Sequence, residues 1–227
     1  MQRMSRYLFI SLLLFSCSGL WSQEITKNFL RGTISRPQGI SVGVNLAGPI
    51  NKIIDGDRTG FSLISRFNLT DIILFKAEAG YENVSFEKDS YHYNSNGSFI
   101  KLGLERDILP KKEEGSRDNI LVGLHYGFAL QEQGSDYFLI ENGYWNDYSG
   151  RIGSNTLKSH WLELSVGPRA EVFKNFYMNW NLHLRLSIAD SNTSLLEPYI
   201  VPGFGAGDKN FVLGFSYTIE YLIPWKK

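Results

Sequence analysis

The segment Tyr177–Ile188 reads YMNWNLHLRLSI and alternates between polar and apolar residues without interruption. Its apolar members are two positions apart: Met178, Trp180, Leu182, Leu184, Leu186 and Ile188. Successive side chains of a β-strand point to opposite faces, so the segment predicts a strand with one apolar and one polar face. A helix would distribute both sets around its circumference. The function depends on which of the two faces meets the solvent.

Similar alternation elsewhere in the chain predicts eight strands in all: Gly39–Ile50, Thr59–Leu69, Ile72–Phe86, Ser98–Ile108, Asn119–Gln131, Lys158–Val172, Phe176–Ile188 and Phe211–Ile223. No segment shows convincing helical periodicity. Short links, such as Thr70-Asp71 and Phe173–Asn175, tend to alternate with long ones, such as Glu132–Leu157 and Ala189–Asn210. This alternation is typical of outer-membrane barrels, which have short periplasmic turns and longer extracellular loops.

Two features favour a barrel in lipid over a soluble barrel, whose apolar face would point inward. Glycines fall on the polar face, where a crowded lumen needs small residues but a solvated face gains nothing from them. Opposite charges share that face, and a narrow lumen would force them into pairs because an isolated buried charge is costly. Aromatic residues on the apolar face suggest interfacial girdles: Phe67, Phe75, Tyr81, Phe176, Tyr217 and Tyr221.

The charged residues of the polar face are predicted to form an ion-pair network that seals the lumen. The predicted members are Arg66, Lys76, Glu78, Glu82, Lys101, Glu105, Glu163, Arg169, Glu171, His183, Arg185 and Glu220. His125 falls on the same face. The interior of an eight-stranded barrel is just wide enough to be filled by side chains. A diffusion channel is therefore not expected, and carboxylates in the lumen disfavour a hydrocarbon-binding cavity.

The N-terminus predicts a cleaved signal peptide over residues 1–22. Arg3 and Arg6 precede the apolar core Tyr7–Phe15, and cleavage is expected near Ser22. Residues 23–38 are predicted to be a periplasmic lead-in and residues 39–227 the barrel. Cys17, the single cysteine, stands at the end of a passable lipobox. We favour a small residue within a cleaved signal over a lipid anchor, since a membrane-embedded body needs no lipid.

Composition narrows the possible partners. The chain has 23 basic and 23 acidic residues, so its net charge gives no reason to expect nucleic acid. After residue 20, no apolar run approaches the roughly 20 residues of a membrane helix. Outer-membrane lipid and other outer-membrane proteins or lipoproteins are the expected partners.

Candidate catalytic groups are weak. Glu78 with Glu82, or Glu163 with Glu171, could form carboxylate pairs, but salt bridging accounts for them more simply. His160 is expected at the extracellular rim, yet the adjacent Ser159 would point to the opposite face, so no dyad is expected. The histidines lack metal-ligand spacing, and no cofactor is predicted. The glycine-rich stretch 203–207 lacks a strand-turn-helix context and predicts a tight extracellular loop.

The long loops are rich in aromatic residues. Tyr144, Trp145, Tyr148 and Tyr199 are the candidate contact residues. Exposed aromatic clusters often mark protein or glycan contacts. Packing of these rings against one another is an equally open interpretation.

Several segments resemble an outer-membrane family of the Bacteroidota that is catalogued as a domain of unknown function. The segments are His160–Leu164 (HWLEL), Lys174–Met178, Tyr199–Gly205, Gly43–Ile50 (GVNLAGPI) and Gly123–Phe128 (GLHYGF). The resemblance covers about residues 35–224. It implies a β-barrel in the outer membrane and supplies neither an activity nor catalytic residues.

The sequence therefore predicts an all-β protein, an eight-stranded antiparallel up-and-down transmembrane barrel of the outer-membrane type with long extracellular loops. The predicted role is non-catalytic: a scaffold or accessory subunit of an outer-membrane complex. Two alternatives stay open, a barrel enzyme acting on lipid at the extracellular rim and a narrow pore or ligand-binding barrel.

Overall fold

The computed structural model describes residues 38–54, 56–88, 90–109, 117–141, 146–191 and 196–225. The signal peptide, Cys17 and nearly all of the periplasmic lead-in lie outside these ranges and stay predictions. Tyr144 and Trp145, two of the candidate loop contacts, also lie outside them.

Short and long strands dominate the described residues. In chain order the elements are β1 (Gly39–Asn45), α1 (Ala47–Ile54), β2 (Arg58–Asn68), β3 (Ile73–Lys88), β4 (Tyr91–Asp107), β5 (Asn119–Ile140), β6 (Tyr148–Phe173), β7 (Phe176–Asp190), β8 (Ile200–Val201), β9 (Gly205–Ala206) and β10 (Phe211–Pro224). Within the described part of the chain, no helix is both long enough and apolar enough to cross a bilayer.

Eight of the strands form a closed barrel in the order β1-β10-β7-β6-β5-β4-β3-β2. Each neighbouring pair is antiparallel. The ring closes where β1 meets β10, with Val42 opposite Tyr221. The remaining strands, β8 and β9, form a separate hairpin. The predicted all-β barrel of eight antiparallel strands is confirmed.

The outward face of the barrel is apolar and the inward face is polar. On β7, Trp180 and Leu182 are 56% and 61% exposed, whereas Asn181 and His183 are each 1% exposed. A soluble barrel has the opposite arrangement, with its apolar side chains inside. Large apolar side chains on the outside and polar ones in the interior are expected where lipid surrounds the barrel. The barrel therefore spans a membrane.

The outward-facing apolar side chains of the barrel form a lipid-facing belt, which ends abruptly toward one end of the barrel. Along β4, the outward positions change from apolar to polar: Leu104, Leu102 and Ile100 are followed by Ser98, Asn96 and Asn94. On β5 the change follows Leu130, and on β6 it follows Leu162. Beyond this edge, strands β3 to β6 continue as a polar-faced sheet formed by residues 83–88, 91–98, 131–140 and 148–158.

The lengths of the links between strands indicate which end of the barrel faces the periplasm. At the end opposite this sheet, β2 and β3 are joined by residues 69–72, and β6 and β7 by residues 174–175. The turn before β3 is closed by Thr70, whose Oγ1 accepts a 3.0 Å hydrogen bond from Ile73 N. Short turns of outer-membrane barrels face the periplasm. The projecting residues therefore lie outside the cell, and we call them the extracellular sheet.

The predicted ends of three strands were wrong. β4 begins at Tyr91 instead of Ser98, β5 continues to Ile140 instead of Gln131, and β6 begins at Tyr148 instead of Lys158. The cause is the polar outward face of the extracellular sheet. Alternation between apolar and polar residues disappears there, although the backbone stays in strand conformation.

The prediction of one strand over Gly39–Ile50 was also wrong. β1 ends at Asn45 and not at Ile50, and residues 47–54 form α1. Asn45 starts this change of direction, because its Oδ1 accepts a 3.0 Å hydrogen bond from Ala47 N. Gly48 lies against the backbone of Gly60, where a Cβ atom would overlap the carbonyl group. The helix therefore packs closely on β2 at the extracellular mouth of the barrel.

Candidate functional site

The lumen collects the charged residues that the sequence placed on the polar face. Of the predicted network members, all but Glu171 and Arg185 are buried, and these two are half-buried. They come from every barrel strand except β1 and β5. The inward alternation of each strand positions them, and antiparallel register brings oppositely charged partners to the same height.

One centre of the network is Arg66, which lies between two carboxylates. Its Nε is 2.6 Å from Glu105 Oε2, and its Nη1 pairs with Glu220. Glu220 also accepts a 3.0 Å hydrogen bond from Arg169 Nε. Arg169 in turn donates 2.9 Å to Ser41 Oγ on β1. These contacts join β1, β2, β4, β6 and β10 across the lumen.

The second centre is Glu163, which is 0% exposed on its side chain. Its Oε2 accepts a 2.7 Å hydrogen bond from Arg185 Nε and lies 3.6 Å from Lys101 Nζ. Lys101 Nζ is also 2.8 Å from Glu78 Oε2. Glu163 thus has several cationic partners, and removing its carboxylate would break a buried ion pair with Arg185, which is strongly destabilising.

Lys76 and His125 connect the two centres. Lys76 Nζ lies 3.6 Å from Glu78 Oε2 and 3.8 Å from Glu105 Oε1. The ring nitrogens of His125 lie 3.5 Å from Glu105 and 3.7 Å from Glu163. The network is therefore continuous from Glu220 to Arg185, and it occupies the middle of the lumen.

Two members of the predicted network form separate pairs near the ends of the barrel. Glu82 pairs with Arg58 at the extracellular end. Glu171 accepts a 2.9 Å hydrogen bond from Arg117 Nη1 at the periplasmic end. The sequence prediction omitted both arginines. Arg58 could have been found by extending the alternation of β2 by one residue, whereas Arg117 lies in a link and carries no such signal.

A hairpin closes the extracellular end of the lumen. Residues 196–207, which include β8 and β9, fold inward, and we call them the cap hairpin. Phe204 is 3% exposed and packs with Val201 against Ala129 and Trp161 of the barrel wall. The rings of Trp161 and Phe204 are 5.8 Å apart. The tight extracellular loop expected at residues 203–207 lies at this end of the barrel, as the turn and second strand of a hairpin that folds inward.

Polar contacts fix the cap hairpin to the barrel. Arg185 Nη1 donates a 2.9 Å hydrogen bond to the Phe204 carbonyl, and Gly203 N donates one of 3.1 Å to Glu82 Oε2. Farther from the bilayer, Gln131 Nε2 donates a 3.0 Å hydrogen bond to the Ile200 carbonyl. Gln133 Nε2 donates one of 2.7 Å to the Leu196 carbonyl. The ion-pair network thus continues directly into the backbone of the hairpin.

Local sequence explains the sharp bend of the cap hairpin. Gly203 and Gly205 have φ values of 73° and 116°, which residues with a Cβ atom rarely adopt.

The inward-facing Trp161 fits into the lumen because it lies against Gly127, where a Cβ atom would overlap the indole ring. The glycines of the polar face therefore make room for bulky groups of the lumen.

A small space remains at the extracellular mouth, between α1, β2 and the cap hairpin. Its volume is about 80 Å³, and Asn45, Arg58, Glu82, Lys101 and Arg185 line it. Ligand pockets usually measure about 300–1,000 Å³. This space suits a few water molecules and is too small for a nutrient or a cofactor.

A serine, a histidine and a glutamate meet inside the lumen. Ser216 Oγ is 2.7 Å from His183 Nε2, and His183 Nδ1 is 3.0 Å from Glu163 Oε1. This order occurs in hydrolase triads. However, Ser216 is 4% exposed, and Glu163 is already shared with Lys101 and Arg185. A buried hydrogen-bond network is the simpler interpretation.

His160 points to the outside of the barrel. Its Nδ1 is 2.5 Å from the hydroxyl of Tyr126, and its ring is 4.9 Å from that of Phe128. Ser159, by contrast, faces inward and is 5% exposed. The two side chains point to opposite faces of β6, so they cannot act as a dyad.

The two candidate loop residues that the structure describes, Tyr148 and Tyr199, are both exposed and both contact another aromatic ring. Tyr199 packs edge-on against Phe86, with ring centroids 5.1 Å apart, and also contacts Tyr93. Burial raises the pKa of Tyr93, and its hydroxyl donates a 2.9 Å hydrogen bond to Gln133 Oε1. Tyr148 is 63% exposed. Tyr199 is nevertheless 56% exposed, and the ring of Tyr148 is 5.9 Å from that of Phe138, so both side chains combine aromatic packing with an accessible surface.

Metal coordination has no candidate in the described residues, where no cluster of three or more His, Cys, Asp or Glu side chains could hold an ion. No curated protein matches the sequence.

Solved structures with a similar fold are outer-membrane proteins with low sequence identity. The attachment invasion locus protein Ail of Yersinia pestis has 10% identity and a TM-score of 0.40, covering 82% of this chain and 96% of its own. A major outer membrane protein from Thermus thermophilus has 10% identity and a TM-score of 0.45, covering 83% and 100%. CarO2 of Acinetobacter baumannii has 12% identity and a TM-score of 0.38, covering 82% and 98%.

The family comparison covers nearly the whole chain. One family model matches residues 4–227, and its description is a domain of unknown function, DUF6048. The match includes all strands of the barrel, the ion-pair network and the cap hairpin. The protein is therefore a member of the DUF6048 family.

Proposed function

We propose that this integral outer-membrane barrel is a non-catalytic scaffold or accessory subunit of an outer-membrane complex. The observation that carries the proposal is the filled lumen. Ion pairs around Arg66 and Glu163 occupy its middle, and Phe204 of the cap hairpin closes its extracellular end. A barrel that neither conducts nor encloses a ligand offers its outer wall and its extracellular sheet for contact.

Export by a cleaved signal peptide is part of the proposal. We expect the mature protein to begin near Gln23, with the chain retained in the outer membrane. N-terminal sequencing of the purified protein tests the cleavage. Retention of the protein in the membrane pellet after alkaline carbonate treatment tests its integration into the membrane. Release into the carbonate supernatant would contradict it.

Association with other outer-membrane proteins or lipoproteins is the central test. We would crosslink intact cells, extract the tagged protein in mild detergent and identify companions at stoichiometric yield. A photo-crosslinking residue at the exposed Tyr148 reports on the extracellular sheet, and one at Leu182 reports on the lipid-facing belt. Recovery as a lone monomer from both positions would contradict the proposal.

A sealed lumen also makes the alternative of a narrow pore testable. The purified barrel should give no steady single-channel current in a planar bilayer. A porin reconstituted in the same membrane provides the positive control. A steady current carried by this chain would contradict a sealed lumen.

A further inference from the structure

The upper part of β6 has a neighbour on one side only. Pairing between β6 and β7 begins at Ser159 opposite Asp190 and continues toward the periplasm. Above that point, Tyr148–Leu157 pairs with β5, from Tyr148 opposite Ile140 to Leu157 opposite Gln131. Among the described residues, no strand pairs with the other side of this segment. We call Tyr148–Leu157 the free edge.

Backbone hydrogen bonds show where the ladder on that side stops. Lys158 N donates a 3.0 Å hydrogen bond to Ser191 Oγ, and Ser191 N donates one of 2.9 Å to the Lys158 carbonyl. Alternate residues of a strand direct their N–H and C=O groups to the same side. Thr156 therefore presents its N–H and C=O groups on the free edge, two residues above Lys158, the last position that bonds to a described residue on this side.

The free edge carries little of the proline and charge that protect exposed edges, although its pairing with β5 is irregular between Gln133 and Phe138. Natural edge strands are kept short or carry proline, lysine or other charged residues. Between Tyr148 and Leu157 there is no proline, and Arg151 is the single charged residue. The opposite edge of the extracellular sheet is different: the part of β3 beyond its β2 pairing is only Ser85–Lys88. Ser85 N there donates 2.9 Å to the Asp57 carbonyl.

A second copy of the chain does not fit this edge. Copies in one membrane are related by rotation about the membrane normal, so their β6 strands run in the same direction. Two like edges of parallel strands cannot form an antiparallel ladder. The β3 edge of a neighbouring copy has the correct direction, but it is much shorter than the free edge.

We infer that the free edge binds an extended segment of a different outer-membrane or secreted protein, which adds to the extracellular sheet as an antiparallel strand. This inference rests on the proposed scaffold function and names its contact surface. Backbone hydrogen bonds supply the affinity in such strand addition. Between Tyr148 and Lys158 the charged residues of β6 are Arg151 and Lys158, both basic, whereas the carboxylate Asp190 lies on β7 below the free edge. The favoured segment is therefore acidic, with polar residues facing the exposed Ser154 and Thr156.

The decisive variant removes one backbone donor and leaves the barrel intact. Thr156→Pro eliminates the outward N–H, and proline is tolerated at strand edges. Thr156→Ala keeps the N–H and is the matched control. A photo-crosslinking residue at Ser154 reports on the free edge, and one at Asn96 reports on the same face of the sheet away from it. Heat-modifiable gel mobility confirms folding of each variant.

We expect a crosslinked partner from Ser154 that is about tenfold weaker in Thr156→Pro and unchanged in Thr156→Ala, because one backbone hydrogen bond is lost. In the purified complex, amides of residues 148–157 should also exchange more slowly than in the isolated barrel. Equal yield in the two Thr156 variants, or a crosslink to another copy of this chain, would overturn the inference.

The outcomes separate this inference from the proposed function. If a stoichiometric companion is recovered but crosslinks from Asn96 or Leu182 and not from Ser154, the scaffold function stands and the free edge is not its contact. If no companion is recovered from any position, both the function and the inference fail.

Discussion

The guanidinium of Arg185 bonds Glu163 of the barrel wall and the backbone carbonyl of Phe204 at the same time, at 2.7 Å and 2.9 Å. One side chain therefore joins the buried ion-pair network to the cap hairpin. The cap hairpin is thus connected directly to the charges deeper in the lumen.

Replacing Arg185 with Met should loosen the cap hairpin. The substitution removes the donor to Phe204 while leaving Glu163 in contact with Lys101 and His183. Amides of residues 198–207 should exchange several-fold faster in hydrogen-exchange mass spectrometry. Arg151→Met, an exposed position on β6, is the control. Unchanged exchange in Arg185→Met would show that apolar packing of Phe204 alone holds the hairpin.

Replacing Glu163 with Gln should destabilise the barrel strongly. The change leaves Arg185 without this carboxylate and Lys101 with Glu78 alone, and breaking a buried ion pair costs about 3–5 kcal/mol. Unfolding by urea in lipid vesicles, detected by gel mobility, measures the loss in the free energy of unfolding. Glu132→Gln changes an exposed carboxylate of β5 and should have little effect. Equal stability of the two variants would mean that the network contributes nothing.

Gly127→Val should displace the indole ring of Trp161. A Cβ atom at Gly127 would overlap that ring, and overpacking costs about 1–3 kcal/mol. We expect altered tryptophan fluorescence and a lower unfolding midpoint. Gly153→Val is the control, because a Cβ atom there meets nothing within 4 Å. A normal midpoint and spectrum in Gly127→Val would contradict the tight packing of the lumen.

The upper edge of the lipid-facing belt can be mapped by paired arginine substitutions on β4. Leu102→Arg places a charge in the bilayer and should cost about 2–4 kcal/mol. Asn96→Arg, six positions earlier on the same face, lies above the edge and should cost little. Unfolding in vesicles measures both. A large loss in both variants would place Asn96 in lipid and move the membrane boundary upward.

Ser216 should not react as a nucleophile. We expect no labelling of the folded protein by a serine-directed fluorophosphonate, because Ser216 is enclosed by the barrel. Labelling that disappears in Ser216→Ala and persists in Ser159→Ala would instead identify an active hydrolase. That result would contradict the non-catalytic assignment directly.

Much of this molecule can be predicted from alternation alone, because lipid imposes an apolar outward face on every spanning strand. Trp180 and His183 follow the pattern without exception, and the inward charges follow from it. The pattern fails where lipid ends. Asn94 and Asn96 are polar because water replaces lipid there, so the continuation of β4 carries no alternating signal.

The interior closure was harder to predict for a different reason. The cap hairpin depends on Gly203 and Gly205, which permit several turn types, and on contacts between residues distant in sequence. Glu82 and Gly203, for example, are brought together only by the closed barrel. The short helix α1 has the same difficulty, since its packing on Gly60 is not visible in its own sequence.

The length of β6 above the lipid-facing belt sets a reach for this protein. From Lys158 to Tyr148 the strand extends about 33 Å at the rise of a β-strand, and a strand tilt near 40° reduces this to a height of about 25 Å. Backbone pairing joins β4, β5 and β6 from the bilayer to the tip, with register shifts near His92 and between Gln133 and Phe138, so this region is a paired sheet rather than a set of separate loops. A partner that docks on it would be held at a fixed distance from the headgroups.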